Sequence, residues 1–345
     1  MSTRQYITDV ATRHQVFLQR YGNGQAKTAK KVLNRLRRNI QARLAQEPTV
    51  FQRQRLVDVL HDIDQLSIVA FTEIKEQALY GSKQLAFSEA DYSAKLFDKT
   101  TTVETGFILP SDSQLIAAID GDRMSINVNS AITPEGALDN FTKRKMTQIR
   151  NTISDGVTLG QTTQEISKNL STTMSTLMAR QITTVVSTIT NHTSSVARQQ
   201  VYEANKEVLD GYIWIATLDN KTTLICASRD QKVYSVEGNN PKPPAHYGCR
   251  SLTIPKVNPK YDLGAKIKGN RPSIGAEGVE QQSSNLSYGG WLKKQPPEFI
   301  NEALGVERGR LFRSGKYTID KFVDPAGRTY TLAELERMAP ISFIE

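Results

Sequence analysis

Cysteine, histidine and tryptophan are scarce in this chain, at two, four and two among 345 residues. Two cysteines make no disulfide framework, so synthesis in a reducing compartment is expected. No apolar run approaches the roughly 20 residues a membrane helix needs. The opening MSTRQYITDV lacks the apolar core of a secretory leader, so export by that route is not expected. The chain has no Gly-rich phosphate loop, no His-Glu-x-x-His and no nucleophile elbow. Catalytic acids or bases would have to come from Asp219, Asp230 and His246, and none of these sits in a pattern specific to a reaction class. The expectation is a protein that is not an enzyme.

What is present is length and basic charge. At 345 residues, 38% hydrophobic and 23% charged, the chain can form two or three domains, each with its own core. The net charge of +9 is unevenly placed. Residues 1–60 hold 12 Lys and Arg against Asp9, Glu47 and Asp58, so this segment alone matches the whole excess. Such asymmetry points to a polyanionic partner, nucleic acid before an acidic protein, against the plainer reading of a solvated basic face.

From Ala26 to Ala45 the residues Ala29, Leu33, Leu36, Ile40 and Leu44 form one helical stripe. Lys31, Arg35 and Arg38 fall opposite it, with Lys30, Arg37 and Arg43 beside it; Lys27 completes the basic set. These seven cations are the candidate phosphate contacts, and the absence of interleaved aromatics argues against base stacking. A second helix is expected after Pro48, carrying Leu60, Ile63, Ala70 and Ile74, broken or kinked at Gly81 and resuming through Phe97. Residues 1–99 are thus a basic helical region, and residues 100–133 an extended excursion with one or two short strands.

Helices return at Pro134. A turn at Gly156–Gly160 precedes a capping box from Thr162 to Glu165, and a long helix follows from about Ser175 to Val208. Its Thr- and Ser-rich middle lowers helix propensity, so burial has to hold it. Three short strands are expected at Ile213–Ile215, Val233–Val236 and Leu252–Ile254, the last closed by Pro255. Residues 257–288, poor in large apolars, are read as a linker or arm. Residues 289–345 are read as a small mixed tail with a short helix stopped by Gly305, a hairpin around Asp324–Gly327 and a capping box at Thr331–Glu334. The fold class is α+β: predominantly helical, with long N-terminal helices, a small sheet after the central helices and a small C-terminal tail.

The densest pattern runs from the first of these strands to the end of the third. Trp214, Asp219, Thr222, Cys226, Asp230, Val233 and Tyr234 are followed by Pro244, His246, Cys249, Arg250 and Pro255. In order and spacing this set resembles the Mu F-like domain of phage head morphogenesis, or minor head, proteins, over about residues 134–256. Two departures stand out. The long helix has Ser187-Thr188-Ile189 where such proteins usually carry Arg-Thr-Glu, and Cys249-Arg250-Ser251 replaces Cys-Arg-Cys. Cys226, His246 and Cys249 leave three readings open: a zinc site with Asp219 or Asp230 as fourth ligand, a Cys226–Cys249 cross-link, or two buried thiols beside a structural histidine. No cofactor is expected, zinc being the alternative. Arg250 and Asp219 can form an ion pair.

The resemblance implies a virion component, made in the host cytoplasm and placed inside the capsid at the portal vertex in several copies. Portal protein, capsid protein and packaged double-stranded DNA are its implied partners, with no membrane in the assembled head and a role in assembly or genome delivery. A purely structural connector without DNA contact is the alternative, and a zinc-binding or hydrolytic enzyme is a further one.

Overall fold

The structure, a computed structural model, describes residues 3–47, 55–102, 107–264 and 269–338. Two compact units emerge, one of residues 20–85 and 132–190, the other of residues 1–19, 86–131 and 191–345. These units do not follow the linear segments expected from composition, because long helices contribute one half to each.

The first of these units is almost wholly helical. Helix α1 (Thr3–Leu44) and helix α2 (Leu56–Asp98) supply its opening pair. Ala26, Ala29, Leu33, Leu36, Ile40 and Leu44 of α1 are all buried, as the helical stripe requires. The two helices run antiparallel here: Arg43 bonds Asp62 at 2.7 Å, Arg35 pairs with Glu73, and the Tyr21 hydroxyl donates to the Gly81 carbonyl at 2.8 Å. Gly81 does not break α2, which is continuous. A mid-helix glycine costs about 1 kcal/mol against alanine. A Cβ at Gly81 would meet only the flexible end of the Gln25 side chain of α1, 2.8 Å away. The interhelix connection, where a start just after Pro48 was expected, lies outside the described residues up to 54; α2 begins at Leu56.

The remainder of this unit comes from helix α4 (Pro134–Thr158), helix α5 (Thr163–Thr172), a π turn (Thr173–Met178) and the start of helix α6 (Ala179–Ala204). The Thr162 hydroxyl caps the Glu165 N–H, and the Glu165 carboxylate returns to the Thr162 N–H at 2.7 Å, so both arms of the capping box form. Phe141 of α4 meets Phe71 of α2 edge to face at 6.0 Å.

The other unit holds the sheet. Of residues 100–133, expected as an extended excursion with one or two short strands, those described hold the strands and, unexpectedly, a helix. They contain helix α3 (Asp112–Gly121), whose buried Leu115 and Ile119 join the core, then strands β1 (Met124–Asn127) and β2 (Ser130–Ile132). The main sheet has the order β4-β3-β5, all antiparallel, with β3 (Leu209–Ile215) central between β4 (Val233–Tyr234) and β5 (Leu252–Val257). Pro255 does not close β5 but sits within it, opposite Tyr212. Helix α7 (Leu224–Arg229) lies between β3 and β4 in the chain. The polar part of α6 packs on this sheet through side chain to backbone bonds: Asn191 to the Cys249 and Ser251 carbonyls, Gln199 to Val236, Tyr202 to Thr253. Burial therefore does hold a poor helix-forming sequence, because its polar groups satisfy carbonyls that would otherwise be orphaned.

Within residues 257–288, expected as a linker or arm, lies the hairpin of β6 (Asn270–Gly275) and β7 (Gly278–Ser283). Its inward positions are Arg271, Ser273 and Gly275, so the period-2 pattern of a buried face is present without apolar residues. The C-terminal residues have a core of their own. Helix α8 (Tyr288–Leu292), helix α9 (Pro297–Leu304), helix α10 (Val306–Arg313) and helix α11 (Leu332–Met338) enclose Tyr288, Trp291, Leu292, Ile300, Leu311, Phe312 and Phe322, with Leu218 and Ala227 from the sheet region joining them. The expected hairpin is reduced to a tight turn with a single bridge between Val323 and Thr329.

Candidate functional site

Two groups of residues carry the chemistry: the cations of α1 and the polar knot around β3, α7 and β5. On α1 the seven expected cations have different environments. Arg35 pairs with Glu73, Arg43 with Glu47 and Asp62, and half-buried Arg37 donates to the Ser171 hydroxyl at 2.9 Å. Lys27, Lys31 and Arg38 are exposed and Lys30 half-buried, and these four have no charged partner among the described residues. Exposed Arg20 was missed by the sequence reading. Arg20, Lys27, Lys31 and Arg38 are spaced 7, 4 and 7 residues apart, which puts them within one narrow face of the helix over about 27 Å. That spacing was available from the sequence.

The knot begins with two buried carboxylates. Asp219, 2% exposed, receives a bidentate bond from Arg250, whose Nη2 lies 2.9 Å away, and further bonds from the Lys221 N–H and the Thr222 hydroxyl, both at 3.1 Å. The Tyr288 hydroxyl donates to the Asp219 carbonyl. Asp230 accepts from the Ala216 and Tyr288 N–H groups, each at 2.7 Å, and from both terminal nitrogens of Arg271 at 3.1 Å. Arg271 and Asp230 side chains are both 1% exposed. A buried charge needs this degree of pairing. Trp214 is buried beneath the Arg229 guanidinium, 5.2 Å from the ring centroid, and Tyr234 packs on Tyr212 with centroids 5.8 Å apart.

The knot also holds a thiol and imidazole cluster. Cys226 Sγ lies 3.3 Å from His246 Nε2 and 3.7 Å from Cys249 Sγ, and both cysteines are buried and unbridged. His246 Nδ1 donates to the Tyr247 carbonyl at 2.8 Å, and the Thr223 hydroxyl lies 2.8 Å from Nε2. Donation from Cys249 pulls the Cys226 thiol down to about 7 against the opposing effect of burial, while burial and that same donation push Cys249 well up. These three residues are the set that can hold a metal; among the described residues no carboxylate joins them, so neither Asp219 nor Asp230 is the fourth ligand. The cavity beside the knot, about 240 Å³, is lined by Val16, Leu218, Leu252, Ile274, Arg250 and Arg271 among others, with no acid, histidine or cysteine.

The arrangement defines a class: a helix-supported, three-stranded α+β domain whose polar residues are spent on internal ties. Residues 147–254 match the family model described as phage Mu protein F like protein. The chain thus carries a Mu F-like domain, over less than a third of its length, and the domain marks a phage head-related protein. Neither the curated proteins nor the solved structures give a significant match. No helix among the described residues is long and apolar enough to cross a membrane.

Proposed function

We propose that this chain is a minor head protein of the virion, inside the capsid near the portal, whose helix α1 touches packaged double-stranded DNA while other faces meet portal and capsid protein. The Mu F-like span supports the head assignment. The observation that carries the DNA contact is the row of Arg20, Lys27, Lys31 and Arg38, exposed on one face with no acidic partner among the described residues. Each cation that meets a phosphate releases a counterion, so four contacts give a log–log salt slope of about −3 to −4 with little base preference. Binding of the full chain to random-sequence duplex, measured against salt, tests this. The slope should flatten in Lys27→Glu, Lys31→Glu, Arg38→Glu combined. Salt-insensitive binding, or a triple variant that binds like the parent, removes the DNA contact.

The connector reading has its own support. Helix α2 leaves Val57, Ile68, Val69 and Tyr80 exposed, apolar side chains available to a protein partner. If the triple variant loses portal incorporation while DNA retention is unchanged, the connector reading replaces the first.

A further inference from the structure

We propose that Cys226, His246 and Cys249 form a binding site for a zinc-class cation, with two thiolates and one imidazole as protein ligands and solvent in the fourth position. Zinc takes sulfur at about 2.3 Å and nitrogen at about 2.0–2.1 Å in a tetrahedron. Those bond lengths separate two ligating sulfurs by about 3.8 Å and a sulfur and nitrogen by about 3.6 Å. The observed separations are 3.7 Å between the sulfurs and 3.3 Å from Cys226 Sγ to His246 Nε2, and all three ligand atoms lie within 4.8 Å of one another.

The orientation of the ligands adds an independent argument. His246 Nδ1 donates to a backbone carbonyl, which fixes the tautomer and leaves the Nε2 lone pair to Cys226 Sγ and the Thr223 hydroxyl. This is the outer-shell arrangement that metal-ligating histidines use. His246 and Cys249 sit at the two ends of one turn, closed by the Cys249 N–H on the His246 carbonyl at 3.1 Å. Asn191 of α6 holds that turn through the Cys249 and Ser251 carbonyls. Cys226 approaches from α7, so a bound ion ties α7 to the turn. The ligands are set before the ion arrives, which lowers the ordering cost of binding. Thr223 is exposed beside Nε2, so the side away from the thiols opens toward solvent. Binding displaces the two thiol protons to solvent.

The test uses the reduced full chain titrated with Co²⁺, then with Zn²⁺. The expected result is one Co²⁺ per chain with thiolate-to-cobalt charge transfer and the visible bands of a tetrahedral ion, both abolished by one equivalent of Zn²⁺. Changing an outer-shell partner typically weakens metal binding by 10–100-fold, so loss of a ligand in Cys226→Ser, Cys249→Ser or His246→Asn should weaken it by at least about 100-fold. The result on the unaltered chain does not depend on whether a variant folds. Failure to bind either ion stoichiometrically overturns the proposal. So does binding without thiolate bands, or a Cys226–Cys249 disulfide in the protein as isolated.

Discussion

The buried pair of Asp230 and Arg271 sets the largest single perturbation the sheet region should feel. Arg271 is the inward side chain of a hairpin that has almost no apolar face, and besides Asp230 it donates to the Ala216 and Leu286 carbonyls. Arg271→Leu leaves the carboxylate with its two backbone N–H donors but without its countercharge, a loss of about 3–5 kcal/mol. Asp230→Ala does more. It leaves a buried guanidinium and also orphans the Ala216 and Tyr288 N–H groups, each worth about 1–3 kcal/mol when buried and unmet. The combined variant removes both charges, so its cost should fall short of the sum by up to about 3 kcal/mol. Urea unfolding followed by tryptophan fluorescence reads this directly, because Trp214 and Trp291 are the chain's only tryptophans and both are fully buried in this unit. A cost for Arg271→Leu below about 1 kcal/mol, or strict additivity, would refute the reasoning. The hairpin would then be a pendant arm, as its composition first suggested.

Two further outcomes are expected beside the salt and metal tests. Burial pushes the Glu89 carboxylate up, but His14, Arg198 and Ser194 outweigh it and bring the net value below the ordinary 4.5. A depressed folded value gives stability that is present above 4.5 and lost as the pH falls through the folded value. Acid titration of the fluorescence transition should therefore show a loss below that point, and Glu89→Gln should flatten it while costing about 3–5 kcal/mol at neutral pH through the stranded Arg198. Gly211 has φ 128° at the irregularity in β3, where a Cβ would fall 2.2 Å from the Tyr234 carbonyl oxygen. Gly211→Ala should cost at least about 1–3 kcal/mol by the same urea assay, and a neutral outcome would mean that β4 can shift freely.

How legible these features were depended on whether they were written in apolar periodicity. The stripe of α1, the capping box at Thr162 and the three strands of the main sheet were read from spacing alone. Helix α3 was missed although Ser111 and Gln114 form a capping box, because the surrounding Thr, Ser and Asp residues outweighed it. The hairpin of residues 270–283 was missed for a stronger reason: its buried face is Arg, Ser and Gly, and the feature that anchors it is an ion pair with a partner 41 positions away. No local pattern can announce that. The same holds for α1, where the expected seven cations divide into paired and unpaired only when Glu73, Asp62 and Ser171 are brought beside them.

The positions that carry the Mu F-like resemblance now have separate physical reasons. A sheet of three short strands buries little, so it is defined by polar ties rather than by mass of core. Asp219 with Arg250 and Thr222, and Asp230 with Arg271, are such ties, and each fixes backbone that would otherwise be unpaired. The departures fit the same logic. Ile189 is 2% exposed and Thr188 returns its hydroxyl to the Thr184 carbonyl, so a glutamate at 189 would be a buried charge in need of a partner. Ser251 is buried, and its hydroxyl helps hold the Cys226 thiol down. A hydroxyl there leaves two thiols and one imidazole to meet any cation.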